Sequence, residues 1–206
     1  MIPSPTKIVV IHDTLKVNDP LIIELIDEHG KDNVTLIEHS DEGLQYVLKN
    51  RTQKMIVILD LDLHVDELQG IEVFRAIRKE TSLVYIIIWT AKDVNSLSKD
   101  NLVELVNNDF LSLEHSTTDY GKVLPLVTKA QHQLEVRVDT ILEEWISTLS
   151  PEERAKPFMM NVEGEYTLDQ IIKSIRLGEE LGRNIERNIL KLAVSLLTKQ
   201  KIRFND

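Results

Sequence analysis

The chain has 206 residues, 42% of them hydrophobic, with no cysteine and a formal net charge of −10. That suits one large domain or one domain plus a smaller partner, and it excludes disulfides and thiolate metal sites. Residues 1–129 carry 13 basic against 21 acidic side chains and the remainder 11 against 13, so no basic block argues for nucleic acid; no apolar run reaches membrane-spanning length and MIPSPTK lacks a signal-peptide core, which makes a cytoplasmic location the expectation.

Taken in order, Lys7–Ile11 reads as a strand ending at His12 and Asp13. Asn18-Asp19-Pro20 starts a helix with Pro20 at its first position; Leu21, Ile22, Leu25 and Ile26 mark its buried stripe and Gly30 its stop. Val34–Ile37 is a second strand, and Ser40 is read as the cap of a short helix through Leu48. Met55–Leu59 is an apolar run that leads straight into Asp60, with Asp62 two positions later. Such a run suits a strand buried on both faces, and an acid at its end sits where open α/β folds bind ligands. Gly70 opens an amphipathic helix with Ile71, Val73, Phe74 and Ile77 inward. Val84–Trp89 is a fourth strand ending at Thr90-Ala91-Lys92, followed by a helix over Ser98–Asn107 and a fifth strand over Asp109–Leu113.

This alternation predicts a doubly wound, five-stranded parallel sheet over residues 1–129, with Asp13, Asp60 and Thr90 at one edge. Two carboxylates without a thiol or histidine cluster make a hard-oxygen site suited to Mg²⁺, and a Thr90 hydroxyl could donate to a phosphate oxygen. Such a set can form and break an acyl phosphate on an aspartate. His12 and His64 are read as exposed loop residues, because no histidine partner has metal-site spacing. Trp89 is read as packing.

Residues 130–206 read as a mainly helical module. Apolar residues from Val123 to Leu149 repeat at steps of three and four, which predicts one long helix from about Thr118 to Thr148, regular from near Pro125. From Pro125 to Leu149 it would run roughly 35–40 Å. Its distal residues Val138, Ile141, Leu142, Trp145 and Ile146 would need cover, and a homodimer is the expected cover. Ser150-Pro151 starts a short helix, and residues 158–162 and 165–167 suggest a hairpin around Gly164. Thr167 and Gln170 form a capping box for a helix through Leu177, and Gly178 ends it. The last helix, Leu181–Lys201, has an apolar arc wider than a solvated helix needs, while Glu179, Glu180 and Glu186 argue against a DNA-recognition helix. The expected output is protein–protein contact, with neither DNA binding nor catalysis.

Residues 5–129 resemble a receiver domain of bacterial response regulators. The stretch IVILDLDL is similar to the family's phosphoacceptor strand, and Gly70 to Arg78 to the helix that follows the acceptor loop. The resemblance implies a flavodoxin-like fold and Asp60 as the phosphorylated residue. It implies a Mg²⁺ site at Asp13, Asp60 and Asp62, the last at a position where the family uses a backbone carbonyl. It also implies Thr90 on the phosphoryl group, Phe110 as the aromatic switch, and a sensor histidine kinase or phosphotransfer protein as partner. The chain departs from the pattern at three places. His12 replaces the first of two usual acids, the loop from Asp60 to Gly70 is about two residues longer than usual, and Leu113 stands where a lysine is expected. A register with Asp62 as acceptor and a phosphorylation-independent pseudo-receiver remain alternatives. So does a haloacid-dehalogenase-type phosphatase, in which Asp60 is the nucleophile and Asp62 the general acid.

Overall fold

The computed structural model describes residues 6–51, 53–81, 84–107, 111–115, 120–161 and 164–199. They form two compact units, Met1–Val136 and Arg137–Asp206. In the first, β1 (Lys7–Ile11), β2 (Val34–Ile37), β3 (Met55–Leu59), β4 (Tyr85–Thr90) and β5 (Leu111–His115) form one parallel sheet in the order β2-β1-β3-β4-β5. Between them run α1 (Pro20–His29), α2 (Ser40–Lys49), α3 (Gly70–Glu80) and α4 (Lys99–Val106), and α5 (Val123–Val136) follows β5.

Strand parity sorts the core into two layers. Val9, Ile11, Val57, Leu59, Ile86 and Ile88 face Val47 of α2, Val73, Phe74 and Ile77 of α3, and Leu105 of α4. Ile8, Val10, Ile56, Ile58, Ile87 and Trp89 face Leu21, Ile22 and Leu25 of α1 and Val123, Val127, Ala130 and Leu134 of α5. Every residue of β3 and β4 is buried, as a strand covered on both faces requires. All five strands being parallel, their carboxyl ends share one edge.

Three local expectations shift. The N-cap of α2 is His39; Ser40 is its first helical residue, and its N–H donates to Glu67 Oε2 at 2.8 Å. The fourth strand includes Thr90, and the fifth runs to His115; Asp109 and Phe110 lie outside the described residues. The long helix is two. Helix α5 stops at Val136, Arg137 is extended (φ −75°, ψ 134°), and α6 (Val138–Ser147) begins anew. Two β-branched valines flank that arginine, which weakens the helical preference where the chain passes from one unit to the next.

The second unit adds α7 (Pro151–Arg154), the antiparallel pair β6 (Pro157–Asn161) and β7 (Gly164–Thr167), α8 (Leu168–Arg176) and α9 (Glu180–Lys199). Thr167 caps α8 through a capping box with Gln170, and Gly178 (φ +61°) turns the chain into α9. At Gly182 the two helices approach closely: a Cβ there would lie 2.7 Å from the backbone nitrogen of Ile175. Its N–H donates to the buried Ser174 hydroxyl at 3.0 Å. Ile146 is buried, against expectation, whereas Ile141, Trp145, Phe158 and the α9 residues Leu190, Leu192, Val194, Leu196 and Leu197 are exposed. No described helix is long and apolar enough to cross a membrane.

Candidate functional site: an acidic cleft at the carboxyl edge of the sheet

The strands set the site. β1 delivers His12 and Asp13, β3 delivers Asp60, and β4 ends on Thr90. Asp60 continues the sheet pairing, its N–H donating to Ile11 O at 3.1 Å, and its carboxylate is buried with the residue only 6% exposed. Asp60 Oδ1 accepts the N–H of Asp62 at 3.1 Å. Asp60 Oδ2 lies 3.5 Å from His12 Nε2, and the other nitrogen of that ring lies 3.6 Å from Asp13 Oδ1. Thr90 is fully buried, and its Oγ1 accepts the N–H of Lys92 at 3.2 Å, which leaves its hydroxyl proton free to be donated. A cleft of about 640 Å³ opens over His12, Asp13, Asp60 and Asp62, bordered also by Thr14, Trp89, Ala91 and Tyr120.

Helix α3 closes the site from below. Gly70 sits so near the acceptor loop that a Cβ would fall 2.0 Å from Asp60 O and 2.6 Å from Leu61 Cα. Its N–H donates to Leu61 O at 3.2 Å, and the Gln69–Glu72 capping box fixes the helix start. Only glycine fits there.

Asp13 and Asp60 are thus brought together, with Thr90 at the end of the neighbouring strand. Asp62 is not part of the cluster by its side chain: it is two-thirds exposed and accepts from Lys92 Nζ at 3.0 Å. Phe110 lies outside the described residues. Leu113 pairs with Ile88, and the residues opposite Trp89 and Thr90 are Glu114 and His115, so the described fifth strand offers no lysine to the edge. His64 is exposed as expected, yet its Nδ1 lies 3.7 Å from Asp13 Oδ2. His12 departs from expectation. It is buried (8% exposed), tilted against Trp89 with ring centroids 5.6 Å apart, and wedged between the two acids. Ligand atoms of His12, Asp13 and Asp60 all lie within 4.8 Å of one another. This donor set fits a divalent cation: the carboxylates suit Mg²⁺, and the imidazole adds a nitrogen that favours Mn²⁺ or a later metal.

No protein-family model matches the chain, and no curated protein matches it by sequence. Solved structures do match by shape. The signal receiver domain of a candidate LuxO repressor protein from Vibrio parahaemolyticus superposes with a TM-score of 0.51 at 17% identity, covering 69% of this chain and 96% of that one. A response regulator receiver domain from Clostridium thermocellum gives 0.50 at 22% identity, covering 64% and 98%. The N-terminal domain of an uncharacterized protein from Wolinella succinogenes gives 0.50 at 14%, covering 62% and 94%. The first unit therefore has the flavodoxin-like receiver fold.

Proposed function

We propose that this is a response-regulator-like signalling protein, in which Asp60 of the receiver-fold unit accepts a phosphoryl group and the helical unit is a protein-interaction output. The observation that supports this reading is the pairing of Asp13 and Asp60 in one cleft, with Thr90 buried at the end of the adjacent strand β4. Asp60 Oδ1 is held by the Asp62 N–H, so Oδ2 is the nucleophilic oxygen. It would attack a phosphoryl donor, a phosphohistidine of a kinase or phosphotransfer protein, forming the acyl phosphate as the donor nitrogen leaves. Thr90 would donate its hydroxyl proton to a phosphoryl oxygen. Asp13 and Asp60 would hold Mg²⁺, which when bound neutralises phosphate oxygens and offsets the repulsion between the two carboxylates. Among the described residues the end of β5 offers no lysine, and Lys92 is tied to Asp62, so neither would supply the phosphoryl group with a cation.

A second reading, the phosphorylation-independent pseudo-receiver, is favoured by His12, which already sits 3.5 Å from Asp60 Oδ2. The phosphatase reading has less support, because its general acid Asp62 is engaged by Lys92. One experiment separates the three. The protein is treated with acetyl phosphate, or with beryllofluoride and Mg²⁺, and mass and tryptophan fluorescence are followed, Trp89 bordering the cleft. Labelling lost in Asp60→Asn and kept in Asp62→Asn supports the acceptor. No modification of wild type favours the pseudo-receiver, and sustained turnover of a phosphomonoester favours the phosphatase.

We further infer that the output works through a homodimer. The break at Arg137 removes the single long rod as its basis. What remains is the exposed apolar surface of the second unit, Ile141, Trp145 and Phe158 with the distal half of α9.

A further inference from the structure

A second cluster of metal-ligating side chains lies on the same sheet edge as the acceptor. His39 is the N-cap of α2, and His64 and Glu67 lie on the loop between β3 and α3. One nitrogen of each imidazole and one Glu67 carboxylate oxygen all fall within 4.8 Å of one another. A tetrahedral zinc site with ligands about 2.0–2.1 Å from the metal sets its donors roughly 3.4 Å apart, so rotations of the exposed rings close the difference.

The donors rest on braced backbone. Glu67 Oε2 accepts both the N–H and the hydroxyl of Ser40, at 2.8 and 3.2 Å, which aims Oε1 at His39 Nδ1, 2.5 Å away. The Glu67 N–H donates to His64 O at 3.0 Å, and Gln69 Nε2 donates to the same carbonyl at 3.0 Å. Outer hydrogen bonds of this kind orient a metal's ligands. The two rings are already adjacent, with centroids 5.7 Å apart and planes tilted by 37°.

The geometry points to a binding site for a divalent late-transition cation, zinc above all, held by His39, His64 and Glu67. Two imidazoles and one carboxylate form a borderline-soft set, which selects against Mg²⁺ and Ca²⁺ and leaves a fourth position for water. A cation there would open the His39–Glu67 contact and tie the start of α2 to the loop that follows Asp60. Its ligands are distinct from His12, Asp13 and Asp60, although His64 Nδ1 lies 3.7 Å from Asp13 Oδ2, and its existence does not depend on phosphorylation of Asp60.

The test uses Co²⁺ as a coloured stand-in for zinc, titrated into the full chain in the presence of excess Mg²⁺, with Zn²⁺ displacement as the second readout. The expected result is a Co²⁺ species with the visible ligand-field bands of an ion held by two imidazoles, bleached by Zn²⁺. The bands should be lost in both His39→Ala and Glu67→Gln and kept in Asp60→Asn. Glu67→Gln keeps the shape of the side chain and guards against a folding artefact at His39. Loss of the bands in Asp60→Asn, with or without loss in His39→Ala, would assign the ion to the acceptor cleft and overturn the inference. So would displacement by Mg²⁺, or the absence of bands at micromolar Co²⁺.

Discussion

Replacing Gly70 by alanine tests how tightly the acceptor loop is packed. The added Cβ would fall 2.0 Å from Asp60 O, 2.6 Å from Leu61 Cα and 2.8 Å from the Asp60 carbonyl carbon. All three obstacles are backbone, so relief requires α3 or the acceptor loop to move by more than about 1 Å, and no side-chain rotation helps. Overpacking of this kind costs about 1–3 kcal/mol, and the better helix propensity of alanine offsets at most roughly 1 kcal/mol. A net loss of ~2 kcal/mol follows. With an unfolding entropy of roughly 2.1 cal/mol/K per residue over the 136 residues of the first unit, that lowers its midpoint by roughly 7 °C. Calorimetry resolving the two units reads this directly, and beryllofluoride titration reads the consequence at the site, since displacing the Asp60 carbonyl moves the nucleophile. A Gly70→Ala protein with an unchanged midpoint would show that α3 does not press on the loop and would refute the reasoning.

In the second unit, Gly182→Ala places a methyl 2.7 Å from the Ile175 nitrogen and should lower that unit's midpoint by ~4–8 °C per kcal/mol lost, with first-unit melting unaffected. Ser174→Ala leaves the Gly182 N–H without its acceptor and should cost about 1–3 kcal/mol in a denaturant titration; a neutral result would mean that the N–H finds water. Burial lowers the pKa of His29 below 6.5, against a smaller opposing pull from Glu28. Its folded state takes up the proton less readily than the unfolded chain. Stability should therefore fall as pH drops below about 6.5 and level off below the folded-state value, and an NMR titration midpoint at or above 6.5 would contradict this. Light scattering at micromolar concentration should give a mass near two chains, reduced by Trp145→Glu; one chain's mass, unchanged by dilution and by that substitution, would rule out the dimer.

The sheet was legible because three apolar runs, at residues 8–11, 55–59 and 84–89, have no charged interruption, as strands buried on both faces require. Asp13, Asp60 and Thr90 followed from parallelism alone, since parallel strands that end in polar residues must bring those residues to one edge. His12 was missed although the signal was present. Residues 8, 10 and 12 share a face, and Ile8 and Val10 pack in the same layer as Trp89, so parity already put the imidazole beneath that indole. The break at Arg137 left no such trace: the three-and-four spacing runs through it unbroken, and periodicity does not register one extended residue. The His39–His64–Glu67 cluster was hidden for another reason. Its members come from two loops, and ligand spacing along the chain does not report on loops that meet only in the fold.

The two departures at the cleft belong together under the proposed function. Relative to the receiver pattern, one acid is replaced by His12 and one lysine is absent from the fifth strand. The exchange removes one negative and one positive group, and Asp13 and Asp60 remain to attract a divalent cation. What the phosphoryl group loses is a point charge placed on its far side, which neither the fully buried Thr90 hydroxyl nor the Asp62-bound Lys92 replaces. The substitution therefore weighs on how long the acyl phosphate is held, and weighs less on whether the metal binds. A His12→Asp substitution restores the second acid without restoring the lysine, so it should tighten Mg²⁺ binding and leave the lifetime of any acyl phosphate unchanged. A lifetime lengthened by that single change would place the defect in the metal site instead.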